Sequence, residues 1–427
     1  MGKERPSSRT WKMTGGDGSG KVLVGAILGA LVTVMVLPGL QRRGAGGLGG
    51  ALPVMLSPAG ADGGAPPQLV LRRQFSSSGA AGGAGAGDGW VMPMVRPGNL
   101  TTAELLDANP GLTGAETRRL MMLHQQLFCR DGSPDVDIRN SSRVARLKLP
   151  KFGIYAYHGN DIVSNHLKGG GWEKEEIDQM LWALAAKVPP PGTPAQGDLP
   201  PVSSWAPPAR PLMVDVGANI GWFTMNAAAA GADVVAFEAM SENALLVRTT
   251  LCENPKLMEH VSLFATGLGT KRSTCHMISG DGNVGDGFSI CDRDPQEDIK
   301  RHAKGGEVYL LRGQMTTMRM DSLLDDDVQI LKMDIEGFEL EALRGASGLM
   351  RRHNVWLMMV ECNVGMIGEG KKNDMLGFLD EMGYAISNTG FKGPWISEEQ
   401  INKGTAKLAG VNLFLMKKKM KAALEKH

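Results

Sequence analysis

The chain has 427 residues, a formal net charge of +1 and 21% charged residues. That length allows one sizeable domain with appendages or two smaller domains, and the near-neutral balance gives no reason to expect nucleic acid as a partner. Its 57 glycines and 23 prolines are concentrated in a few places, so the first hundred residues differ in kind from the rest.

Residues 1–21 carry Lys3, Arg5, Arg9, Lys12 and Lys21 and read as a cytosolic tail. Residues 22–40 (VLVGAILGALVTVMVLPGL) hold no charge, and they are about long enough for a bilayer core of roughly 30 Å. Only Arg42 and Arg43 follow closely. The positive-inside bias then predicts a single-pass type II signal anchor, with the bulk of the chain in a secretory lumen such as the Golgi. A cleaved signal peptide and an organellar transit peptide are the alternatives. Sequons at Asn99 and Asn140 agree with a lumenal domain.

Residues 41–98 are mostly Gly, Ala and Pro, with too little large apolar surface to offset the entropy of ordering, and predict a flexible stem. Over 99–187 a helical lead-in is expected. Leu120, Met121, Leu123, Leu127 and Phe128 recur at helix spacing, and Ile177, Met180, Leu181 and Leu184 share one face of a second helix. Residues 188–211 (VPPPGTPAQGDLPPVSSWAPPARP) can form neither a helix nor a central strand and read as a Pro-rich insertion.

From 212 to 417 strands alternate with helices. LMVDV, DVVAFE, HVSLFATGL, DVQILKMD, VWLMMVE, YAISN and GVNLFLMK are the strands, and SENALLVRTTLCEN is a helix opened by Ser241 as N-cap. That rhythm predicts an α/β domain with a doubly wound, mostly parallel, seven-stranded sheet. Residues 268–327 are too long for one connection and predict an insertion over the carboxyl edge of the sheet. Residues 418–427 form a basic tail, read as a solvated terminal helix.

The first strand ends in MVDVGANIGWF, Met213 to Phe223. Ligands of such sheets bind where a strand's carboxyl end meets a helix N-terminus. A dinucleotide site would want GxGxxG, but Asn219 and Trp222 stand where its second and third glycines belong. The pattern is instead Asp215-x-Gly217-x-Asn219-x-Gly221, and Asn tolerates the left-handed backbone of such a turn. Glu238 closes the next strand. An acid about 20 residues past the first glycine suits the two hydroxyls of a ribose. These five residues describe a nucleoside site without a pyrophosphate grip, which fits S-adenosylmethionine better than NAD.

The segments VDVGANIGWFT, VVAFEAMSENALLV, DSLLDDDVQILKMDIEGFELEALRGA and VWLMMVECN resemble the FkbM family of S-adenosylmethionine-dependent methyltransferases, and NDIVSNHLKGGGWEKE is similar to that family's lead-in. The resemblance covers about 160–417, and DIEGFELEALRGA is its most specific piece. It implies a class I, Rossmann-like methyltransferase fold and transfer to oxygen, with acceptors that include sugars and polyketide hydroxyls.

Asp334 ends the fourth strand and Glu336 follows two residues later, so these carboxylates are the expected catalytic pair: proton acceptor or acceptor anchor. Capping of the following helix is the alternative role for Asp334. Glu361 ends the fifth strand at an equivalent place, His158 and His166 are further candidate bases, and DGNVGDGFS (281–289) could close over a substrate or lie on the surface. No metal site is expected. The five cysteines form no CxxC and have no paired His, and Asp281, Asp286, Asp292 and Asp294 show no fixed ligand spacing. Cys275 and Cys291 could bridge in an oxidising lumen.

The expected function is thus O-methylation of a sugar or small-molecule hydroxyl by a membrane-anchored enzyme. The alternatives are an organellar or soluble methyltransferase for a lipid or small metabolite, and a non-catalytic scaffold of the same fold. Nothing in the pattern fixes an oligomeric state.

Overall fold

The computed structural model describes residues 101–130, 141–159, 161–304, 306 and 308–426, together with the backbone of three short strands before them. β1 (Val54–Ser57) and β2 (Gln68–Leu71) pair antiparallel, and β3 covers Trp90–Pro93. The tail expected over 1–21, the anchor over 22–40 and the sequon asparagines Asn99 and Asn140 lie outside the described residues, as does most of the stem over 41–98. Among the described residues no helix is long and apolar enough to cross a membrane.

The lead-in begins with helices Thr102–Asp107 and Gly114–Arg130, the first opened by a capping box between Thr101 and Glu104. It is not wholly helical, because β4 (Val144–Lys148) and β5 (Gly153–Tyr157) form an antiparallel hairpin. Helices Ile162–Lys168 and Lys174–Ala185 follow. The Pro-rich insertion is irregular apart from one turn of 3₁₀ helix at Val202–Ser204, yet it buries Trp205 against the core.

β6 (Leu212–Val216), β7 (Asp233–Phe237) and β8 (Val261–Phe264) alternate with helices Trp222–Ala229 and Ser241–Glu253. Next comes the expected insertion, made of β9 (Gly267–Leu268), β10 (Ser273–Gly280), β11 (Gly287–Cys291), helix Pro295–Lys304 and β12 (Tyr309–Met318). β13 (Val328–Met333), β14 (Val355–Glu361), β15 (Tyr384–Ser387) and β16 (Asn412–Lys417) complete the domain.

The main sheet runs β15-β16-β14-β13-β6-β7-β8, while the insertion forms its own sheet, β11-β10-β12-β9. In the main sheet β16 is antiparallel to both its neighbours and the β14-β13-β6-β7-β8 pairs are parallel. This is the seven-stranded, mostly parallel sheet expected from the alternation. Every residue of β6 and β13 is buried, as helices on both faces require, so these strands read as near-continuous apolar runs.

Two disulfides join the described elements. Cys129–Cys252 ties helix Gly114–Arg130 to helix Ser241–Glu253, and Cys275–Cys291 staples β10 to β11. Two terminal expectations change. Met240, not Ser241, occupies the N-cap position, and Ser241 makes no capping bond; the Glu238 carboxylate takes the Met240 N–H instead, at 2.8 Å. The basic tail is a helix, Lys418–Leu424, but it packs: Met420 is buried, and Lys418 pairs with Asp380 and Glu398.

Candidate active site

A cavity of about 280 Å³ opens at the carboxyl ends of β6, β7, β13 and β14. On one wall the chain leaves β6 through three left-handed positions, Gly217 (φ 78°), Asn219 (φ 52°) and Gly221 (φ 93°). The N–H groups of Gly217 and Ala218 both donate to the Phe237 carbonyl at 3.0 Å, so the turn is sewn to the end of β7. At Gly217 a Cβ would lie 1.8 Å from the Asp334 carbonyl oxygen, which leaves glycine as the residue that fits. Gly221 opens helix Trp222–Ala229, and a Cβ there would meet Val247 at 3.3 Å.

Glu238 is 6% exposed and lines the cavity. Its Oε2 accepts the Asn219 N–H at 2.7 Å and its Oε1 the Met240 N–H. Burial pushes its pKa up to about 7, against those two backbone donors, which lower it. Each oxygen retains acceptor capacity, so the carboxylate can still receive hydroxyl donors from the cavity.

Asp215 is different. It is fully buried, does not reach the cavity, and accepts the Thr224 hydroxyl at 2.6 Å. Gly221 also lies off the cavity wall. Of the five expected cofactor residues, Gly217, Asn219 and Glu238 line the cavity, while Asp215 and Gly221 shape the turn from behind it. Asp215, Gly217, Asn219 and Gly221 all stand two positions apart, so spacing alone could not separate these roles.

The opposite wall is acidic. Asp334, Glu336 and Glu361 converge from the ends of β13 and β14, each offering an oxygen within 4.8 Å of the others. That is a spacing a divalent cation could bridge, and it arises from residues outside the set of aspartates whose spacing argued against a metal. Glu336 has a left-handed backbone (φ 54°). Burial raises its pKa, reinforced by a hydrogen bond with Asp286 and by the charges of Asp286, Asp334 and Glu361. Glu361 is raised too, first by burial and then by Asp334. Asp334 does not cap the following helix, Glu339–Gly345, whose N-cap Phe338 makes no side-chain capping bond; the Glu339 Oε1 instead accepts the Ile335 and Gly337 N–H groups of the preceding turn.

Segments distant in sequence complete the wall. Glu173 sits at the mouth with φ 44°, and burial lifts its pKa to about 7, against the lowering pull of Lys332. Trp172 accepts the Trp222 indole N–H on its carbonyl at 2.8 Å, so the Trp that argued against a pyrophosphate grip ties the lead-in to the first helix. The 281–289 loop does reach the cavity: Asn283, Gly285, Asp286, Gly287 and Ser289 line it. It is moored by the Gly285 N–H to Asp161 (2.9 Å), by Asn243 to the Gly285 carbonyl (2.8 Å), and by the Ile162 N–H to Asn283 (3.0 Å). His158 and His166 do not line the cavity; the latter's Nδ1 lies 2.9 Å from the Ile162 carbonyl.

Lys332, Glu173 and Asp286 were not foreseen as site residues. Lys332 left a signal of its own, a lysine inside the apolar run VQILKM, and Asp286 lies in the 281–289 loop expected as a possible cover. Burial opposes its charge, but Asp334, Asp215 and Glu173 outweigh that and raise its pKa.

The sheet order and a cavity at its carboxyl edge define a methyltransferase-like α/β protein. Residues 215–386 match the methyltransferase FkbM domain, a match that implies S-adenosylmethionine as the cofactor. No curated protein matches the chain. Among solved structures it is similar to the methyltransferase FkbM of Methylobacillus flagellatus KT, at 16% identity and a TM-score of 0.30, over 48% of this chain and 43% of that one. The chain thus spans less than half the length of that protein. It is also similar to a SAM-dependent O-methyltransferase of Thermotoga maritima, at 11% identity and TM-score 0.29, over 66% of this chain and 79% of that one. A third similarity is to an O-methyltransferase of Bacillus cereus in complex with SAH, at 10% identity and TM-score 0.28, over 59% and 84%. These overlaps are loose, and the family assignment rests on the 215–386 match.

Proposed function

We propose that the protein transfers a methyl group from S-adenosylmethionine to a hydroxyl oxygen of a glycan or related metabolite. The observation that carries this reading is the pairing, across one cavity, of a nucleoside-type turn with Glu238 on one wall and converging carboxylates on the other. S-adenosylmethionine supplies a methyl carbon on a sulfonium; the acceptor oxygen bonds to that carbon as the carbon–sulfur bond breaks, its electrons going to sulfur to give S-adenosylhomocysteine. Gly217, Asn219 and Glu238 would hold the nucleoside, with Glu238 receiving the ribose hydroxyls.

The protein's main contribution is alignment, since an in-line displacement depends on positioning. The acceptor's hydroxyl proton must also leave. Glu336, whose ionisation is disfavoured by burial and by its hydrogen bond with Asp286, is better suited to donate a hydrogen bond than to take that proton. Asp334, paired with the Lys332 ammonium at 3.4 Å, is the proton acceptor in this reading. Acceptor-rich walls at Glu173, Asp286 and Glu361 favour a substrate with several hydroxyl donors, such as a sugar.

The same proposal places the protein in a secretory compartment of the Golgi type, held through residues 22–40 as a type II anchor. Two disulfides support an oxidising compartment.

Calorimetry of S-adenosylmethionine and S-adenosylhomocysteine binding to the full chain tests the reading. Both should bind, Glu238→Ala should abolish binding, and Asp334→Ala should keep it while losing methyl transfer to glycan acceptors. A folded wild type that binds neither nucleoside would return the protein to the scaffold reading.

A further inference from the structure

β13 pairs with β6 so that Lys332 stands opposite Asp215, two charged side chains in the middle of the main sheet, 5% and 0% exposed. A lysine there costs several kcal/mol of desolvation unless its proton positions are used. The ammonium has three donors. Around Nζ lie the Gly217 carbonyl at 3.1 Å, Asp334 Oδ2 at 3.4 Å and Asp215 Oδ1 at 3.9 Å, and that last oxygen has no hydrogen-bond partner of its own. The Phe223 ring closes the remaining side, its centroid 5.1 Å from Nζ. Lys332 is also the single cationic side chain among the residues lining the cavity.

These partners belong to different halves of the site. Gly217 is the first residue of the nucleoside-type turn, and Asp334 is the carboxylate at the acceptor edge. Another buried lysine shows what a packing role looks like here. Lys417 faces the Met350 and Met382 carbonyls and the Tyr384 ring, and reaches no cavity wall. Lys332 instead joins one main-chain oxygen of the turn to one side-chain carboxylate, beside the main-chain bond from the Asp334 N–H to the Val216 carbonyl at 3.0 Å.

We propose that Lys332 is a positioning residue for methyl transfer, its ammonium fixing the Gly217 carbonyl and the Asp334 carboxylate to one point so that cofactor turn and proton acceptor keep a set separation. The inference rests on the methyltransferase reading above, in which Asp334 takes the proton. A residue of β13, outside the turn itself, would then govern how the cofactor is held, although the cofactor need not touch its ammonium.

The test uses the full chain with Lys332→Ala and ethylammonium chloride as a replacement ammonium. Amide exchange over residues 216–222 should rise about tenfold in Lys332→Ala, S-adenosylmethionine affinity should fall by about the same factor, and about 0.1 M ethylammonium should restore most of both while equal sodium chloride does not. Adding Asp334→Asn should weaken that rescue, because one of the anions holding the amine is gone. Lys417→Ala should lower stability without disturbing the turn's exchange. Should Lys332→Ala not fold, Lys332→Gln with Asp215→Asn removes the buried cation together with one counter-charge and is read by amide exchange over 216–222 and affinity alone, unchanged exchange overturning the inference. Unchanged exchange, or increased exchange that ethylammonium does not reverse, would overturn the inference. Failure of wild type to bind the nucleoside sinks the methyltransferase reading instead, and the exchange measurement still decides whether Lys332 holds the turn to Asp334.

Discussion

The two walls of the cavity are built from different materials. The cofactor wall is a backbone structure: three left-handed residues within five positions, two N–H groups on one carbonyl, and a carboxylate whose oxygens each hold a main-chain N–H. The acceptor wall is a structure of charges, with Glu173, Asp286, Asp334, Glu336 and Glu361 arriving from four segments and Lys332 beneath them. A backbone wall fixes shape and accepts little change in size. A wall of buried carboxylates fixes charge, and its behaviour follows protonation and the supports that hold each segment in place.

The sharpest way to break this contrast is Gly217→Ala. Its Cβ would fall 1.8 Å from the Asp334 carbonyl oxygen at a φ of 78°, so both the turn and β13 must move. We expect a loss of more than about 4 kcal/mol in urea unfolding, or no folded protein. A folded variant of near wild-type stability would show that the cofactor wall is more pliable than its geometry indicates.

The disulfides separate the walls more gently. Cys129–Cys252 closes a separation of 123 residues and holds the helix that follows β7, whereas Cys275–Cys291 closes 16 and holds the hairpin whose loop lines the acceptor side. Cys129→Ser with Cys252→Ser should cost about 3 kcal/mol in thermal unfolding. The corresponding change at Cys275 and Cys291 should cost less, with increased proteolysis confined to 281–289. Equal loss and equal proteolysis in both variants would mean that the hairpin is not a separate support.

The smallest of these effects concerns pH, and one residue from each wall contributes. Glu238 and Glu173 are each raised from 4.5 to about 7, chiefly by burial. A carboxyl raised on folding favours the folded state fully below its unfolded value, and that contribution is lost as pH rises through the folded value. Stability of the nucleoside-free chain should therefore fall between about pH 4.5 and 7, by about 2 kcal/mol for fully buried Glu238 and less for half-buried Glu173. Glu238→Gln should flatten the larger part of that slope in denaturant titrations. A slope unchanged in Glu238→Gln would mean that its carboxyl is not held against ionisation by burial.

What could be read along the chain follows the same division. Asp215, Gly217, Asn219, Gly221 and Glu238 fall within one strand-turn-helix-strand unit, so local spacing carried most of their meaning, although not which of them face the ligand. Glu361 was placed by its strand end. Glu173 and Lys332 had no such frame, and neither did the β4–β5 hairpin hidden in a stretch expected to be helical. The hairpin depends on pairing across a turn, and gathering five acids on contacts between residues tens to hundreds of positions apart, and no periodicity within one segment records either.

The sequence by itself determined the seven-stranded α/β domain, the nucleoside-type turn and the family to which it is similar, because apolar runs, glycines and a spaced acid act through local backbone chemistry. Only the tertiary structure decided that Asp215 and Gly221 stand behind the cavity, that the 281–289 loop lies across it, and that one buried lysine touches both of its walls. Those outcomes depend on where β6, β13 and the inserted sheet come to rest against each other. That is settled by packing and by the need to pair charges removed from water.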